Sequence, residues 1–339
     1  LTRRVSFILL AIALLGLPAC AQSPDCFREQ VFCAGLVTNT AGIADHGLNR
    51  NTWMGMRQAH EDGIADRIAY IESVDSRDYA KNIAVFAEDG YDVIVTVGPG
   101  LDDETLRAAD LYPDSVFIGI DQPQKESRPN LLPVTFREDQ MGFWAGALAA
   151  RLTKTGVVAG VCETSGIDSM WRYCQGFRQG AAHENDEVKS LIKYRDHGSS
   201  EKLFFDPDWG YESARDFIER GADVVFAAGG GTGQGALLAA ADAGVLAIGA
   251  ERDQAAALTE AQAALVTSVY ARADLEVQKW MRSIREGNIR GGEAVGVFAY
   301  VPYREVKIKI SDSTKAEMDE LMVSLFTGAL DTGVSPSAP

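Results

Sequence analysis

From residue 31 onward, apolar and polar positions alternate in blocks of two kinds. Short β-branched runs at 31–37, 67–72, 92–97, 116–120 and 131–135 read as strands. The stretches between them, at 49–62, 77–89 and 101–111, repeat apolar positions at helical spacing. In 77–89 the inward stripe is Ile83, Phe86 and Ala87, and Gly90 follows where a helix ends on a left-handed residue. After 138 the rhythm restarts. Helices are expected at 140–153, 169–183, 211–220, 234–243, 271–286 and 314–326, and strands at 157–161, 190–194, 223–227, 245–248, 264–269 and 294–299. Such runs predict parallel sheets with helices on both faces. Two doubly wound units in succession predict an α/β protein with two lobes, a hinge and an interlobe cleft. The first lobe is expected at 31–137 plus about 270–292 and the second at 138–269 plus about 293–327. Residues 328–339 are left as a tail, frayed at 335–339.

The first 30 residues break this pattern. Arg3 and Arg4 precede an apolar run, 5–15, that ends in Leu17-Pro18-Ala19-Cys20. Basic residues, a short greasy core and a small residue before a cut describe a secretory signal over 1–19, too short to span a bilayer. The ending resembles a bacterial lipobox, which implies an acylated Cys20 and a polar tether at 20–30; Pro18 is unusual there, and plain secretion is the alternative. Removing 1–19 takes away two arginines and no acid, so the formal charge goes from −16 to −18. That charge excludes nucleic acid as a partner and leaves an acyl anchor as the expected membrane contact. Four further cysteines in an exported chain suggest disulfides, of which the pairs close in sequence are Cys26–Cys33 and Cys162–Cys174.

Candidate chemistry collects at the carboxyl ends of the expected strands, where open α/β sheets hold ligands. The loop after the first strand carries Thr38, Asn39, Thr40, Asp45, His46 and Asn49. Asp121 ends one strand, and Glu251 and Asp253 end another; acids there suit hydroxyls, amines or ring N–H groups, or else cap helices. The run from Gly229 to Gly235, with Gly230 and Gly231, opens a helix but lacks the lysine and spacing of a phosphate loop. It offers bare amides to ligand oxygens or makes a tight turn, and Gly98 sits in the matching turn of the first lobe. Among Trp53, Phe136, Trp144, Trp171, Tyr173, Phe204, Phe205 and Trp209, most are expected in the core, with Trp171 and Trp209 the better stacking candidates. Arg172 is a candidate for an anionic group. Histidines at 46, 60, 183 and 197 make no metal pair, and no G-x-S-x-G elbow occurs, so neither an enzyme, a metal nor a cofactor is expected.

Four stretches, GLVTNTAGIADHGLNRNTWMGM, FREDQMGFWAGALAARLTKTGVVAGV, GADVVFAAGGGTGQGALLAA and AIGAERDQ, together resemble the basic membrane protein family of solute-binding lipoproteins. The resemblance covers about 31–327, most of the chain. It implies a type I periplasmic-binding fold, a small solute such as a purine nucleoside closed between the lobes, an ABC permease as partner, and a lipid-anchored monomer in the periplasm or on the outer face of the membrane. The family's first loop usually reads D-T-G-G-I-D-D-x-S-F-N. Here its leading Asp is Asn39, its second paired Asp is Asp45, its base-stacking Phe is Leu48 and its Asn is Asn49. The resemblance gives Asp121 the base region and Glu251 the place of a ribose-binding Asp, with Asp253 and Gln254 kept and a usual Lys replaced by Ala271. Residues 164–173 depart from the pattern and bring Trp171 and Arg172. Those departures leave open a different polar or heteroaromatic solute, or a sensor that presents its closed form to a signalling partner.

Overall fold

The computed structural model describes residues 24–45, 47–288 and 291–339. The signal, Cys20 and His46 lie outside the described residues. In the first lobe the chain runs β1 (Cys33–Val37), α1 (Leu48–Glu61), β2 (Arg67–Ile71), α2 (Tyr79–Glu88), β3 (Val93–Val97), α3 (Asp102–Leu111), β4 (Val116–Ile120) and β5 (Leu131–Thr135). It crosses to a second lobe through α4 (Glu138–Leu152), β6 (Val157–Cys162), α5 (Asp168–Glu184), β7 (Lys189–Tyr194), α6 (Pro207–Glu219), β8 (Val224–Ala228), α7 (Gly230–Ala243), β9 (Leu246–Gly249), α8 (Gln254–Ala257) and β10 (Leu265–Ala271). Then α9 (Ala273–Arg285) and β11 (Ala294–Val295) return to the first lobe, and β12 (Phe298–Tyr300) and α10 (Asp312–Phe326) to the second. The sheets are 6-stranded, in orders β11-β5-β4-β3-β1-β2 and β12-β10-β9-β8-β6-β7. Leaving out the edge strands, the two orders are the same topology used twice. All pairings are parallel except β10 with β12.

β1, β3 and β4 are buried along their whole length, which is why they read as continuous runs without charged residues. α4 is buried on nearly every side, and its Trp144 stacks on Tyr300 at 4.5 Å and donates through Nε1 to the Met318 carbonyl. α4 and α5 touch backbone to backbone. Gly142 and Gly146 on one helix, and Gly176 and Gly180 on the other, lie one turn apart, and a methyl on any of them would fall on a carbonyl of the opposite helix. Gly210 and Gly235 do the same between α6 and α7. Disulfides join Cys26 to Cys33 and Cys162 to Cys174, the first fastening the tether to β1 and the second fastening the end of β6 to α5.

Several elements depart from expectation. The strand expected at 294–299 is two strands in two sheets: β11 pairs with β5, and β12 with β10. The chain passes between lobes at Gly296, where the Phe136 ring leaves no room for a side chain. α7 starts at Gly230 rather than 234, with Gly229 in the left-handed region (φ 112°) as its cap. The tail is not frayed. Thr332 is buried, and Ser335 and Pro336 bond to side chains of α5.

Candidate functional site

The carboxyl ends of both sheets face a shared cavity of about 260 Å3. From the first lobe come Asn39, Ala41, Asp45 and Leu48 after β1, Gly98 and Pro99 after β3, Asp121 after β4 and Phe136 after β5. From the second come Glu138 and Met141 on α4, Ser169, Met170 and Tyr173 on α5, then Phe204, Glu251, Arg252 and Ala271. The walls thus set aromatic rings and methionine sulfurs against a group of carboxylates.

The first loop is braced internally. Asn49, fully buried, donates through Nδ2 to Asn39 Oδ1 (2.9 Å) and Asp45 Oδ2 (3.0 Å), and Asp45 also accepts the N–H groups of Gly47, Asn49 and Arg50. Asp45 therefore holds the start of α1. Its backbone carbonyl accepts from Arg252 Nη1 at 2.6 Å, which joins the lobes across the cavity mouth.

In the second lobe Glu251 sits at φ 72° and accepts the N–H groups of Gly229 (3.2 Å) and Gly230 (3.0 Å). The first-lobe counterpart, Asp121, also has positive φ, at 58°. Two acids are thus held in the left-handed region at equivalent strand ends, a strained conformation for residues other than glycine. In the second lobe Glu163, with no exposed surface, accepts from Phe204 N–H (2.9 Å) and Thr232 Oγ1 (2.7 Å) and pairs with buried Arg195 at 3.4 Å. That network places the Phe204 ring on the cavity.

Asp121 and Glu138 share one electrostatic neighbourhood. Burial, then the charge of Glu251, pushes Asp121 up to about 6 against a partial offset from Arg172. Burial, then the charge of Asp121, pushes Glu138 up to about 7, although Arg172 Nε donates to its Oε2 at 2.7 Å. Both acids hold protons in the folded state that the unfolded chain gives up, so folding is favoured at lower pH and loses that contribution as pH rises through 4 to 7. Thermal unfolding of solute-free protein should give a higher midpoint at pH 5 than at pH 8, and Asp121→Asn should shrink the difference. An equal slope in the variant would count against this pair.

Several residues singled out from sequence sit elsewhere. Trp209 lies in the first turn of α6 beneath Lys193 Nζ, 5.3 Å from its ring centroid, because α6 starts earlier than expected. Trp171 stacks on Tyr194 and donates to Ser335 Oγ. The amides of Gly230 and Gly231 are taken by Glu251 and by the Phe204 carbonyl (2.8 Å). Asp253 caps α8 through Ala255 and Ala256 N–H groups and borders a different cavity. Arg172 lines an adjoining cavity beside Asp121. Phe136, Glu138, Met141, Met170, Tyr173, Phe204 and Arg252 are among the wall residues that the sequence does not single out for the site. Among the described residues no group of His, Cys, Asp and Glu is placed to hold a metal, and no helix is long and apolar enough to cross a membrane.

The model of the PnrA-like ABC transporter substrate-binding proteins, the Bmp family, matches residues 33–297. The chain belongs to that family. A CD4+ T-cell-stimulating antigen of Listeria monocytogenes is 27% identical over 98% of both chains. The ABC transporter nucleoside-binding protein BmpA of Lactococcus lactis is 29% identical over 60% of this chain and 56% of that one. A solute-binding protein of an ABC transporter system from Conexibacter woesei superposes with a TM-score of 0.73 at 22% identity, over 89% of this chain and 98% of the other. The fold is that of type I periplasmic-binding proteins, two α/β lobes around a cleft. Bmp-family members are solute-binding components of ABC transporters and not enzymes.

Proposed function

We propose that this Bmp-family solute receptor binds a purine nucleoside or a closely related solute and delivers it to a membrane permease. The supporting observation is the pairing of walls in one cavity: Phe136, Tyr173 and Phe204 offer ring faces, while Asp121, Glu138 and Glu251 offer acceptors. A flat ring bearing N–H groups, joined to a hydroxylated sugar, satisfies both. A volume of about 260 Å3 suits a solute at the small end of small-molecule pockets, which run from roughly 300 Å3 upward. The ring surface that Leu48 lacks is available from the second lobe. Ala271 borders the cavity without a charge, which favours a second reading in which the sugar is altered or absent. The two lobes close about the crossings near 137, 271 and 297, each giving half the contacts. The protein acts as a monomer at the outer face of the membrane, held through an acylated Cys20.

Isothermal titration of adenosine, guanosine and inosine into stripped protein tests the assignment. Asp121→Ala should weaken the tightest of them by about 10- to 150-fold, the loss of one charged hydrogen bond. Unchanged affinity in that variant would remove Asp121 from the site.

A further inference from the structure

The segment after α10 lies beyond residues 33–297, which the family model matches, and the function argued above makes no use of it. It is nonetheless tied down at three points, all beside the ligand cavity. Thr332 Oγ1 donates to Asp139 Oδ2 at 2.6 Å, and Thr332 is only 4% exposed. Trp171 Nε1 donates to Ser335 Oγ at 3.2 Å. Arg172 Nη1 donates to the Pro336 carbonyl at 3.0 Å. Arg172 is the side chain that also bonds Glu138 and whose charge acts on Asp121.

The segment also builds a wall. Val334 and Pro336 border a second cavity of about 460 Å3, which shares Asp121 and Phe136 with the first. Across it stand Thr135 and Val295 of the first lobe. Anchored on the second lobe and facing the edge of the first, the segment covers the hinge side of the cleft. Among the described residues, the side chains that bond it belong to α5 and to the start of α4, so opening the cleft leaves these bonds intact while separating it from Val295.

We infer that residues 331–336 form a strap that walls the cavity adjoining the binding site and holds Arg172 against Glu138, so that it acts as a positioning element for the acids of the site and slows solute release. This rests on the cavity holding a solute but not on which one. The strap is a part of the site that the first loop and the strand-end acids do not supply. With it in place, Arg172 has its guanidinium fixed from two directions, by a carboxylate and by a carbonyl. Without it, Arg172 keeps one partner and the second cavity opens to solvent.

The full chain carrying Thr332→Val and Ser335→Ala is compared with wild type and with Thr332→Ser, which keeps the hydroxyl. Without any solute, backbone hydrogen exchange at 332–335 should be slowed in wild type, and exchange at 170–174 should quicken in the double variant and not in Thr332→Ser. With guanosine bound, its dissociation measured by stopped flow should be about tenfold faster in the double variant, with the association rate little changed. Thr332→Ser should keep the wild-type rate. Unprotected exchange at 332–335 in the wild type overturns the strap. So does an equal dissociation rate in wild type and double variant. Failure of guanosine and the other nucleosides to bind would instead refute the nucleoside assignment, and the solute-free exchange measurements would still decide the strap.

Discussion

Gly180→Val should not give a folded second lobe. The added Cβ would fall on the Phe143 carbonyl of α4, where the two helix backbones touch, and Gly146, Gly142 and Gly176 allow no sideways escape along the same seam. Neither helix can retreat: α4 is buried almost completely, with Trp144 stacked on Tyr300, and α5 is fastened to β6 by the Cys162–Cys174 disulfide. A forced separation costs more than about 4 kcal/mol, a large share of the stability of an ordinary domain. The expected result is loss of the cooperative thermal transition, followed by near- and far-ultraviolet circular dichroism. Gly166→Ala, where the nearest foreign atom to an added Cβ is Thr164 Oγ1 at 3.5 Å, is the control and should change stability by less than about 0.5 kcal/mol. A Gly180→Val protein that melts like wild type would mean that the helices do not meet at these glycines.

Glu163→Ala carries the next largest effect. It removes the ion-pair partner of Arg195, whose side chain is 1% exposed, and leaves Phe204 N–H and Thr232 Oγ1 without their acceptor. Breaking one side of a buried pair costs about 3–5 kcal/mol, and with roughly 2–4 °C per kcal/mol the midpoint should fall by about 10 °C. Because Asp206 still faces Arg195 at 3.4 Å, the loss belongs at the lower end of that range. Glu163→Ala with Arg195→Met should recover part of it, since the stranded charge is gone. Solute affinity should remain weakened in the double variant, because Phe204, at φ 63°, has lost the carboxylate that holds its loop. Full recovery of affinity with stability would show that Glu163 serves only the fold.

The strands are legible because parallel strands covered on both faces carry continuous runs without charged residues, rich in Val and Ile, as in β3 and β4. The helix starts were less so. Glycines at 229–235 read as loop by propensity, yet α7 begins among them because its backbone must approach α6 at Pro207. The apolar stretch Ala294–Tyr300 carries no sign that it passes from one sheet to another, since each pair of strand residues looks alike until its partners are known. At the site, topology made the strand-end acids readable: Asp121 and Glu251 sit where the carboxyl edges meet. Glu138 was hidden because an acid in the first turn of a helix already has a reason to be there. Arg252, between two acids, carries no signal of its own in the sequence, although it reaches Asp45 across the cleft. Trp171 and Trp209 stand out in the sequence as stacking residues because they are large rings near loops, whereas Phe136, Tyr173 and Phe204 fall within patterns that read as core. The role of the 331–336 segment had no local signal at all, because its partners lie more than 150 residues away.

The central claim is that solute is held between the lobes by carboxylates from both. It is tested most directly by titrating guanosine, inosine and adenosine calorimetrically into protein stripped of bound solute by unfolding and refolding, in wild type and in Asp121→Ala and Glu251→Ala. The account predicts saturable binding of at least one nucleoside at one site per chain, weakened by each substitution although Asp121 and Glu251 stand on opposite lobes. Binding that survives both substitutions unchanged, or no heat from any nucleoside, would contradict it.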